Sequence, residues 1–463
     1  MSRETVLGNG HLITDWESPA VIPSGAVAWR DDRIVAVGAE VDVRAAHPEA
    51  EYLDARGGLI LPGLVNLHHH FYSALARGLD PGIPMNDFPE ILDRLWWRLD
   101  RALDPETVRL SAQLSAAACV RGGCTTVFDH HASPSCIDGS LDLLAGALDE
   151  AGISGVLCYE VTDRNGPEGA AQGMAENLRF LEARGDDPRI RGVFGLHASF
   201  TVSEATLAAV AERRPTGAGV HIHVAEHPVD DEFSRRTFGM TPIQRLERHG
   251  LLDDRALLAH GIHVRDEDYD RIAAAEATVM HNPESNANNG VGRLDIPGAA
   301  GRGCALGLGT DGMSSAVLRA LRFAFLGLRG GSEDPTLGFA HVPQLLATNA
   351  RVAGRFLDEP LLGQLAPGAP ADVIAVDSPP PTPLNADNWF GHLAYGGSEA
   401  PVRHTVARGR VLLADFQSTT LDAGDLAEQA RRVSPDLWKR FRNLEWNTPY
   451  LGPSRGCTEE SSP

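Results

Sequence analysis

The 463-residue sequence is short of positive charge and almost without lysine. Its 41 Lys and Arg residues face 62 Asp and Glu residues, which gives a formal net charge of −21 at pH 7, and Lys439 is the single lysine. Because binding to nucleic acid requires cationic side chains that neutralise phosphates, we expect no nucleic-acid partner. A small neutral or cationic molecule is compatible with this charge.

Long apolar runs, paired cysteines and a signal peptide are also lacking. No apolar run reaches the roughly 18 to 20 residues that a membrane-spanning helix needs, and the N-terminus has no basic region followed by an apolar one. The six cysteines are scattered without paired spacing: Cys119, Cys124, Cys136, Cys158, Cys304 and Cys457. We therefore expect a cytoplasmic protein with reduced thiols and no membrane partner.

The most informative stretch is an apolar segment that ends in three histidines. Leu61–Leu67 leads directly into His68, His69 and His70. Side chains alternate between the two faces of a strand, so His68 and His70 share one face and His69 points the other way. Because two imidazoles on one face can bind one divalent ion, the triplet predicts a pair of metal ligands.

Four later segments also read as short apolar strands that end in ionisable residues. They are His221–Glu226, Leu257–His263, Val279–Pro283 and Leu306–Gly312. In a barrel of parallel strands, the catalytic groups lie where the strands run out into loops at the carboxyl face. An ordered set of such strand ends is difficult to explain by packing alone, and it predicts a shared site.

Eight strand-like segments alternate with helix-like segments. The strands are expected near residues 59–68, 125–130, 155–161, 191–197, 219–225, 256–262, 277–281 and 305–310. Helix-like stretches include Pro105–Arg121, Ser140–Ala151 and Ala170–Ala183. This alternation indicates a parallel sheet, and eight units over about 250 residues are typical of a (β/α)8 TIM-type barrel. We therefore predict an α/β protein with a barrel over residues 59–362.

The two ends of the chain have a different texture. Residues 1–58 and 363–418 alternate apolar and polar side chains between Gly, Asp and Pro turns, which predicts small antiparallel strands. We expect both ends together to form one small β-sandwich domain beside the barrel. Residues 419–463 are expected to form a C-terminal helical extension with a disordered tail from Gly456 to Pro463.

The chain resembles the deaminase and chlorohydrolase-like branch of the amidohydrolase superfamily over nearly its whole length. The motifs that carry the resemblance occur in the family's order: Pro62-Gly63, His68-x-His70, His223-x-x-Glu226, His260, Thr310-Asp311-Gly312 and Gly363-x-Leu365-x-Pro367-Gly368-x-x-Ala371-Asp372. Within that branch it is most similar to the SsnA-type aminohydrolases, in the segments 71–78, 95–104, 129–134 and 162–165.

The chemistry of these residues suggests their roles. Three imidazoles and one carboxylate make a ligand set that suits a catalytic zinc ion with one position left for water: His68, His70, His223 and Asp311. A bound divalent ion lowers the pKa of water and supplies hydroxide near pH 7. Asp311 can also accept the water proton, Glu226 can carry a proton to a ring nitrogen of the substrate, and His260 can orient the hydroxide or polarise the attacked group. The resemblance implies the same assignments.

The scarcity of lysine bears on the number of metal ions. Some members of the superfamily bridge two ions with a carbamylated lysine on a barrel strand, whereas Lys439 lies in a helix-like segment far beyond the predicted barrel. We therefore expect one divalent ion per chain. Zinc is the expected ion, although iron or manganese could occupy the same ligands.

Further residues are candidates for contact with a substrate: His197, Trp97 and Ser315, followed by Tyr72, Asp163 and Arg164. One of His130 and His131 should also face the inside of the barrel. The expected activity is hydrolytic deamination of an amino-substituted nitrogen heterocycle, such as a purine, pterin, pyrimidine or triazine. Ring-opening hydrolysis of a cyclic amide or amidine at the same site, and a catalytically silent scaffold, are the alternatives. We also expect a homo-oligomer, a dimer or larger.

Overall fold

The computed structural model describes residues 4–332 and 334–446 of the chain. Its strands are β1 (Glu4–Ile13), β2 (Val21–Arg30), β3 (Arg33–Ala39), β4 (Glu51–Asp54), β5 (Leu59–Pro62), β6 (Leu64–His69), β7 (Cys124–His131), β8 (Ser154–Tyr159), β9 (Ile190–Gly192), β10 (Phe194–Ala198), β11 (Val220–Val224), β12 (Leu257–His260), β13 (Thr278–His281), β14 (Ala305–Leu308), β15 (Val373–Val376), β16 (Val402–Ala407), β17 (Arg410–Ala414) and β18 (Gln417–Ser418).

Helices occupy most of the chain between these strands. They are α1 (Glu40–Ala46), α2 (Phe88–Ile91), α3 (Trp97–Ala102), α4 (Pro105–Arg121), α5 (Ser140–Ala151), α6 (Gly166–Ala183), α7 (Glu204–Arg213), α8 (Pro228–Phe238), α9 (Pro242–Arg248), α10 (Asp266–Ala274), α11 (Pro283–Asn288), α12 (Ile296–Gly301), α13 (Val317–Gly330), α14 (Val342–Leu357), α15 (Trp389–His392) and α16 (Ala423–Asn443). In the described ranges, no helix is both long enough and apolar enough to cross a membrane.

Two parallel sheets form the centre of the protein. Within the described residues, one has the order β6-β7-β8-β9 and the other the order β10-β11-β12-β13-β14. Two isolated parallel bridges connect the sheets, one between His69 and Asp311 and the other between Val161 and Leu196. The predicted α/β arrangement with parallel strands is therefore confirmed.

Local sequence explains why these elements begin and end where they do. Every residue of β7 is buried, as expected for a strand of a parallel sheet that is covered on both faces. Helix α4 begins at Pro105 because the side chain of Asp104 accepts the N–H of Thr107 while the Thr107 hydroxyl accepts the N–H of Asp104. Its end at Arg121 is followed by Gly122, so the predicted range Pro105–Arg121 is confirmed.

Both ends of the chain contribute to a third sheet. Within the described part of the protein, its order is β18-β17-β16-β15-β5-β1-β2-β3, with β4 paired to β1. The strand predicted over residues 59–68 is divided between two sheets, since β5 pairs with β15 and β6 pairs with β7. Gly63 makes the crossing possible, because a Cβ atom there would lie 2.4 Å from the Thr125 Oγ1 atom.

The C-terminal helix α16 packs against the segment that precedes α4. The indole N–H of Trp438 donates to the Leu75 carbonyl at 2.9 Å, and the guanidinium of Arg98 donates to the Phe441 carbonyl at 3.1 Å. Arg440 Nε donates to the Ala102 carbonyl at 2.8 Å. These bonds fix α3 and the π-helical turn before it, Leu92–Trp96, in place. The predicted tail at residues 456–463 lies outside the described residues.

Candidate active site

The strand ends of the two parallel sheets bring the predicted ligands together. His68 lies on β6 and His70 directly follows it, His223 lies on β11, and Asp311 follows β14. His260 is the last residue of β12 and pairs with Val224 of β11. All five of these side chains are buried, because they point into the carboxyl end of the parallel strands.

The distances between the ligand atoms are short. His70 Nε2 lies 3.1 Å from His223 Nε2 and 3.2 Å from Asp311 Oδ1. His68 Nε2 lies 3.9 Å from the same Asp311 oxygen. Three imidazole nitrogens and one carboxylate oxygen therefore converge on one point.

The tautomers of His70 and His223 determine what can bind at this point. Their Nδ1 atoms lie 2.5 Å from the carbonyl oxygens of His130 and His197, respectively. A carbonyl only accepts, so each Nδ1 carries a proton, and in the neutral ring each Nε2 then presents a lone pair. Two lone pairs 3.1 Å apart cannot hydrogen-bond to each other. They are, however, the arrangement that a metal ion requires.

The third imidazole fits the same interpretation. His68 Nδ1 lies 2.9 Å from His221 Nε2, while His68 Nε2 has no hydrogen-bond partner among the described residues. Burial, together with the neighbouring imidazoles, holds the pKa of His68 and of His223 well below the usual histidine value. Neutral imidazole is the form that binds metal ions, so the residues present fit a divalent ion.

Unusual backbone conformations aim the side chains at the mouth of the site. Ala225, His260 and Asp311 have φ values of +49°, +73° and +54°, in the left-handed region that non-glycine residues rarely adopt. Such residues occur where the surrounding structure enforces them, which is often at functional sites. Here they turn the chain sharply just after the strands end.

Glu226 and His260 lie beside the ligand cluster. His260 Nε2 is 3.5 Å from Glu226 Oε2 and 3.7 Å from Asp311 Oδ2. His260 Nδ1 lies 2.8 Å from the Asn286 side-chain oxygen, to which it must donate. Burial and the charge of Asp311 raise the pKa of Glu226 well above its usual value. The Glu226 carboxyl is therefore able to hold a proton at neutral pH.

The pKa of Asp311 is shifted in the opposite direction. Burial alone would raise its pKa, but electrostatic interaction with the nearby His70 and His260 rings, with hydrogen bonds from Ser285 and the Gly312 N–H, holds the pKa below its usual value. Asp311 therefore stays ionised beside a Glu226 that retains its proton. Carboxyl groups with opposite tendencies are the usual arrangement for acid and base roles.

His69 points away from the ligand cluster, as strand alternation predicts. Its Nε2 atom lies 2.8 Å from the Ser315 hydroxyl, and its ring packs edge-on against Phe71 at 5.1 Å. Ser315 also donates to the Ser115 carbonyl at 3.4 Å. The structure thus places Ser315 against His69 instead of on the pocket wall, because the turn after Asp311 directs it to the back of β6.

A pocket opens onto the cluster. The predicted substrate contacts Trp97 and His197 line it, as do Tyr72 and Arg164. Its further walls are mostly apolar or acidic and include Phe88, Leu92, Trp96, Phe200, Asp100, Glu160 and Asp230. An apolar and aromatic lining with a few polar groups is typical of a site for a small molecule.

Three acidic pocket residues were missed by the sequence reasoning: Asp100, Glu160 and Asp230. Glu160 directly follows β8 and contacts the His130 ring at 3.0 Å, which places His130 rather than His131 on the inner face. Its position just after a strand is the signal that could have identified it. Asp100 lies three residues after Trp97 on α3, so the helix puts both on one side.

Comparison with known proteins identifies the family. The model of the amidohydrolase family matches residues 59–412. A 5-methylthioadenosine/S-adenosylhomocysteine deaminase of Nitratidesulfovibrio vulgaris is 32% identical over 441 residues, which cover 91% of this chain and 95% of the relative. A 5'-deoxyadenosine deaminase of Methanothermobacter thermautotrophicus is 30% identical over 449 residues, which cover 94% and 100%.

Solved structures agree in fold. An adenosine deaminase from Xanthomonas campestris with bound zinc superposes with a TM-score of 0.80 at 22% identity, over 96% of this chain and 99% of that chain. A zinc complex of an atrazine chlorohydrolase from Arthrobacter aurescens gives a TM-score of 0.76 at 22% identity, over 93% and 100%. The fold is therefore of the TIM-barrel α/β type, and the chain belongs to the amidohydrolase family, in the deaminase and chlorohydrolase branch that its motifs predicted.

Proposed function

We propose that this protein is a metal-dependent hydrolase that removes the amino group from an amino-substituted nitrogen heterocycle such as a purine, pterin, pyrimidine or triazine. The observation that carries the proposal is the pair of imidazole nitrogens, 3.1 Å apart on His70 and His223, beside Glu226, whose pKa is raised by burial. Deaminase-named relatives of about one-third identity, aligned over nine-tenths of the chain, support it.

His68, His70, His223 and Asp311 would hold one divalent ion, for which zinc is the proposed identity. When bound, the ion supplies Lewis acidity to water and to the attacked carbon. Two zinc-bound structures with the same fold support this choice.

The chain's own residues would move the protons. Asp311 accepts a proton from the attacking water, and Glu226 donates its proton to the adjacent ring nitrogen. As the carbon–nitrogen bond breaks, the proton held by Asp311 passes to the leaving amine, which departs as ammonia. The ring nitrogen keeps the proton from Glu226, and the proton of the new hydroxyl group returns to Glu226 as the carbonyl forms. His260 lies within 3.7 Å of both carboxyl groups and would orient the reacting oxygen. Trp97 and His197 would pack against the heterocycle.

The finer features of the architecture are proposals of the same kind. The bridges His69–Asp311 and Val161–Leu196 support closure of the two parallel sheets into one barrel. It has eight strands when β9 and β10, which only Val193 separates, are counted as one. A common apolar core, which includes Leu7, Trp29 and Val406, supports a β-sandwich for the third sheet. The exposed rings of Phe339 and Tyr395, with centroids 6.3 Å apart, support a homo-oligomer. Cytoplasmic location stays a prediction from the sequence.

A panel of amino-heterocycles tests the function. The metal-loaded protein is incubated with each compound, and both ammonia and ultraviolet absorbance are followed. We expect ammonia release from at least one compound, abolished by Glu226→Gln. A change in absorbance without ammonia would indicate ring opening instead. No turnover of any compound by protein with full metal content would favour a silent scaffold.

A further inference from the structure

One wall of the pocket carries a buried ion pair that the proposed mechanism does not use. Arg164 Nη2 lies 2.9 Å from Asp100 Oδ2, and the two side chains are only 3% and 2% exposed. The Arg164 guanidinium also lies over the Trp97 ring, 4.6 Å from its centroid. All three residues line the pocket.

The ion pair leaves polar atoms without partners. Among the described residues, Asp100 Oδ1 and Arg164 Nε have no hydrogen-bond partner. A two-pronged arginine–carboxylate pair would satisfy both atoms, whereas this pair makes a single contact. Buried polar atoms are nearly always hydrogen-bonded in folded proteins. Trp97 Nε1 likewise has no partner among the described residues. Because all three residues line the pocket, a ligand that brings one donor and at least one acceptor would pair the atoms that the ion pair leaves unpaired.

The charge around the pair limits the chemical class of ligand that can bind. Asp100, Glu160, Asp230 and Asp311 line the pocket, and Arg164 is the one arginine among its lining residues in the described chain. Because Arg164 already faces Asp100, no free cation remains on this wall for a carboxylate or a phosphate. A neutral ligand edge fits, and Trp97 and the other aromatic side chains favour a planar one.

We propose that Asp100 and Arg164 determine specificity by binding a lactam edge of the heterocycle, in which the ring N–H donates to Asp100 and the ring carbonyl accepts from Arg164. This inference rests on the proposed function and deepens it, since it names an oxo-substituted amino-heterocycle as the substrate class. A ribosyl or thioether nucleoside offers no such edge at this wall.

Matched ligand pairs test the inference in the wild-type, metal-loaded protein. Isocytosine and 2-aminopyrimidine share the ring and the amino group and differ in the lactam, and guanine and 2-aminopurine form a second pair. Binding is measured by calorimetry and ammonia release in parallel. Since a hydrogen bond to a charged group is worth roughly a factor of 10 to 100, we expect the lactam member to bind about 100-fold more tightly. Equal affinity within both pairs, or binding of neither member, overturns the inference, as does a stronger preference for adenine nucleosides.

Substitutions test whether Asp100 and Arg164 cause the preference for the lactam member. Arg164→Gln should reduce the ratio of the affinities for the lactam member and its partner from about 100 to about 1. Because Arg164→Gln leaves a buried carboxylate unpaired and could impair folding, the double variant Asp100→Asn/Arg164→Gln removes both charges together. The matched control is Arg109→Gln, at an exposed guanidinium that pairs with Glu150 at 2.8 Å, and it should leave the preference intact. A preference that survives the double variant contradicts the assignment.

The two readouts separate this inference from the proposed function. Preferential binding of lactams without ammonia release would leave the recognition pair standing and refute deamination. Ammonia release at equal rates and affinities from both members of each pair would support deamination and refute the recognition pair.

Discussion

Replacing His69 with asparagine separates the two faces of strand β6. Burial lowers the pKa of His69 to about 3, so the ring is neutral at pH 7 and asparagine removes no charge. The substitution removes the bond to the Ser315 hydroxyl, worth about 1 kcal/mol, and the edge-on contact with Phe71, worth about 1 kcal/mol beyond its buried area. With the small cavity left behind, we expect the free energy of unfolding to fall by about 2 to 3 kcal/mol.

This loss of stability should not be accompanied by a loss of the bound ion. His69→Asn is expected to retain the divalent ion, whereas His68→Asn and His70→Asn should strip it or weaken it greatly. Elemental analysis of the purified variants measures the ion content, and urea denaturation measures the free energy of unfolding. Ser315→Ala is the matched control, since it removes only the hydrogen bond and should cost about 1 kcal/mol without changing turnover. If His69→Asn lost the ion and His68→Asn kept it, the orientation of β6 would be wrong.

Three further predictions concern the ion, the proton carrier and pH. Elemental analysis should find one tightly held divalent ion per chain, and two tightly held ions would contradict the single site. When the free ion is at 1,000 times its Kd, its removal by chelation should lower the free energy of unfolding by about 4 kcal/mol. Glu226→Gln should keep the ion and lower kcat by roughly two to four orders of magnitude, and near-full activity would reduce Glu226 to a structural role. Burial raises the pKa of Asp230 to about 7 from 3.8, opposed in part by the Ala225 N–H. The folded state then holds a proton that the unfolded chain has lost, so the stability due to Asp230 falls as pH rises from about 4 to about 7. Asp230→Asn should therefore gain stability over the wild type across that range in urea melts, and a constant difference would refute the shift.

The sequence was sufficient to predict features that depend on residues close together in the chain. The capping residues around Pro105–Arg121 are adjacent in the chain, and the helix has the predicted bounds. The positions of His68, His223 and His260 at strand ends follow from short apolar runs with ionisable residues at their ends.

Features that depend on distant residues could not be predicted in this way. The break at Gly63 results from its approach to Thr125, which is 62 residues away in the chain and on another strand. Ser315 turns towards His69 because of the backbone turn after Asp311, which no local pattern reveals. The pairing of Asp100 with Arg164 joins residues separated by 64 positions, so only the folded chain brings them together.

The packing of α16 means that the ligand cluster and the wall that contacts the substrate are held in place by different parts of the protein. The ligand cluster is built on parallel strands in the centre of the protein, whereas Trp97 and Asp100 stand on a segment that α16 ties down through Arg98 and Ala102. Substitutions in the C-terminal helix can therefore reshape the substrate wall while the ion's ligands stay where they are. Chemistry and selectivity can thus diverge independently, since a change in α16 alters the wall that contacts the substrate without changing the residues that bind the ion.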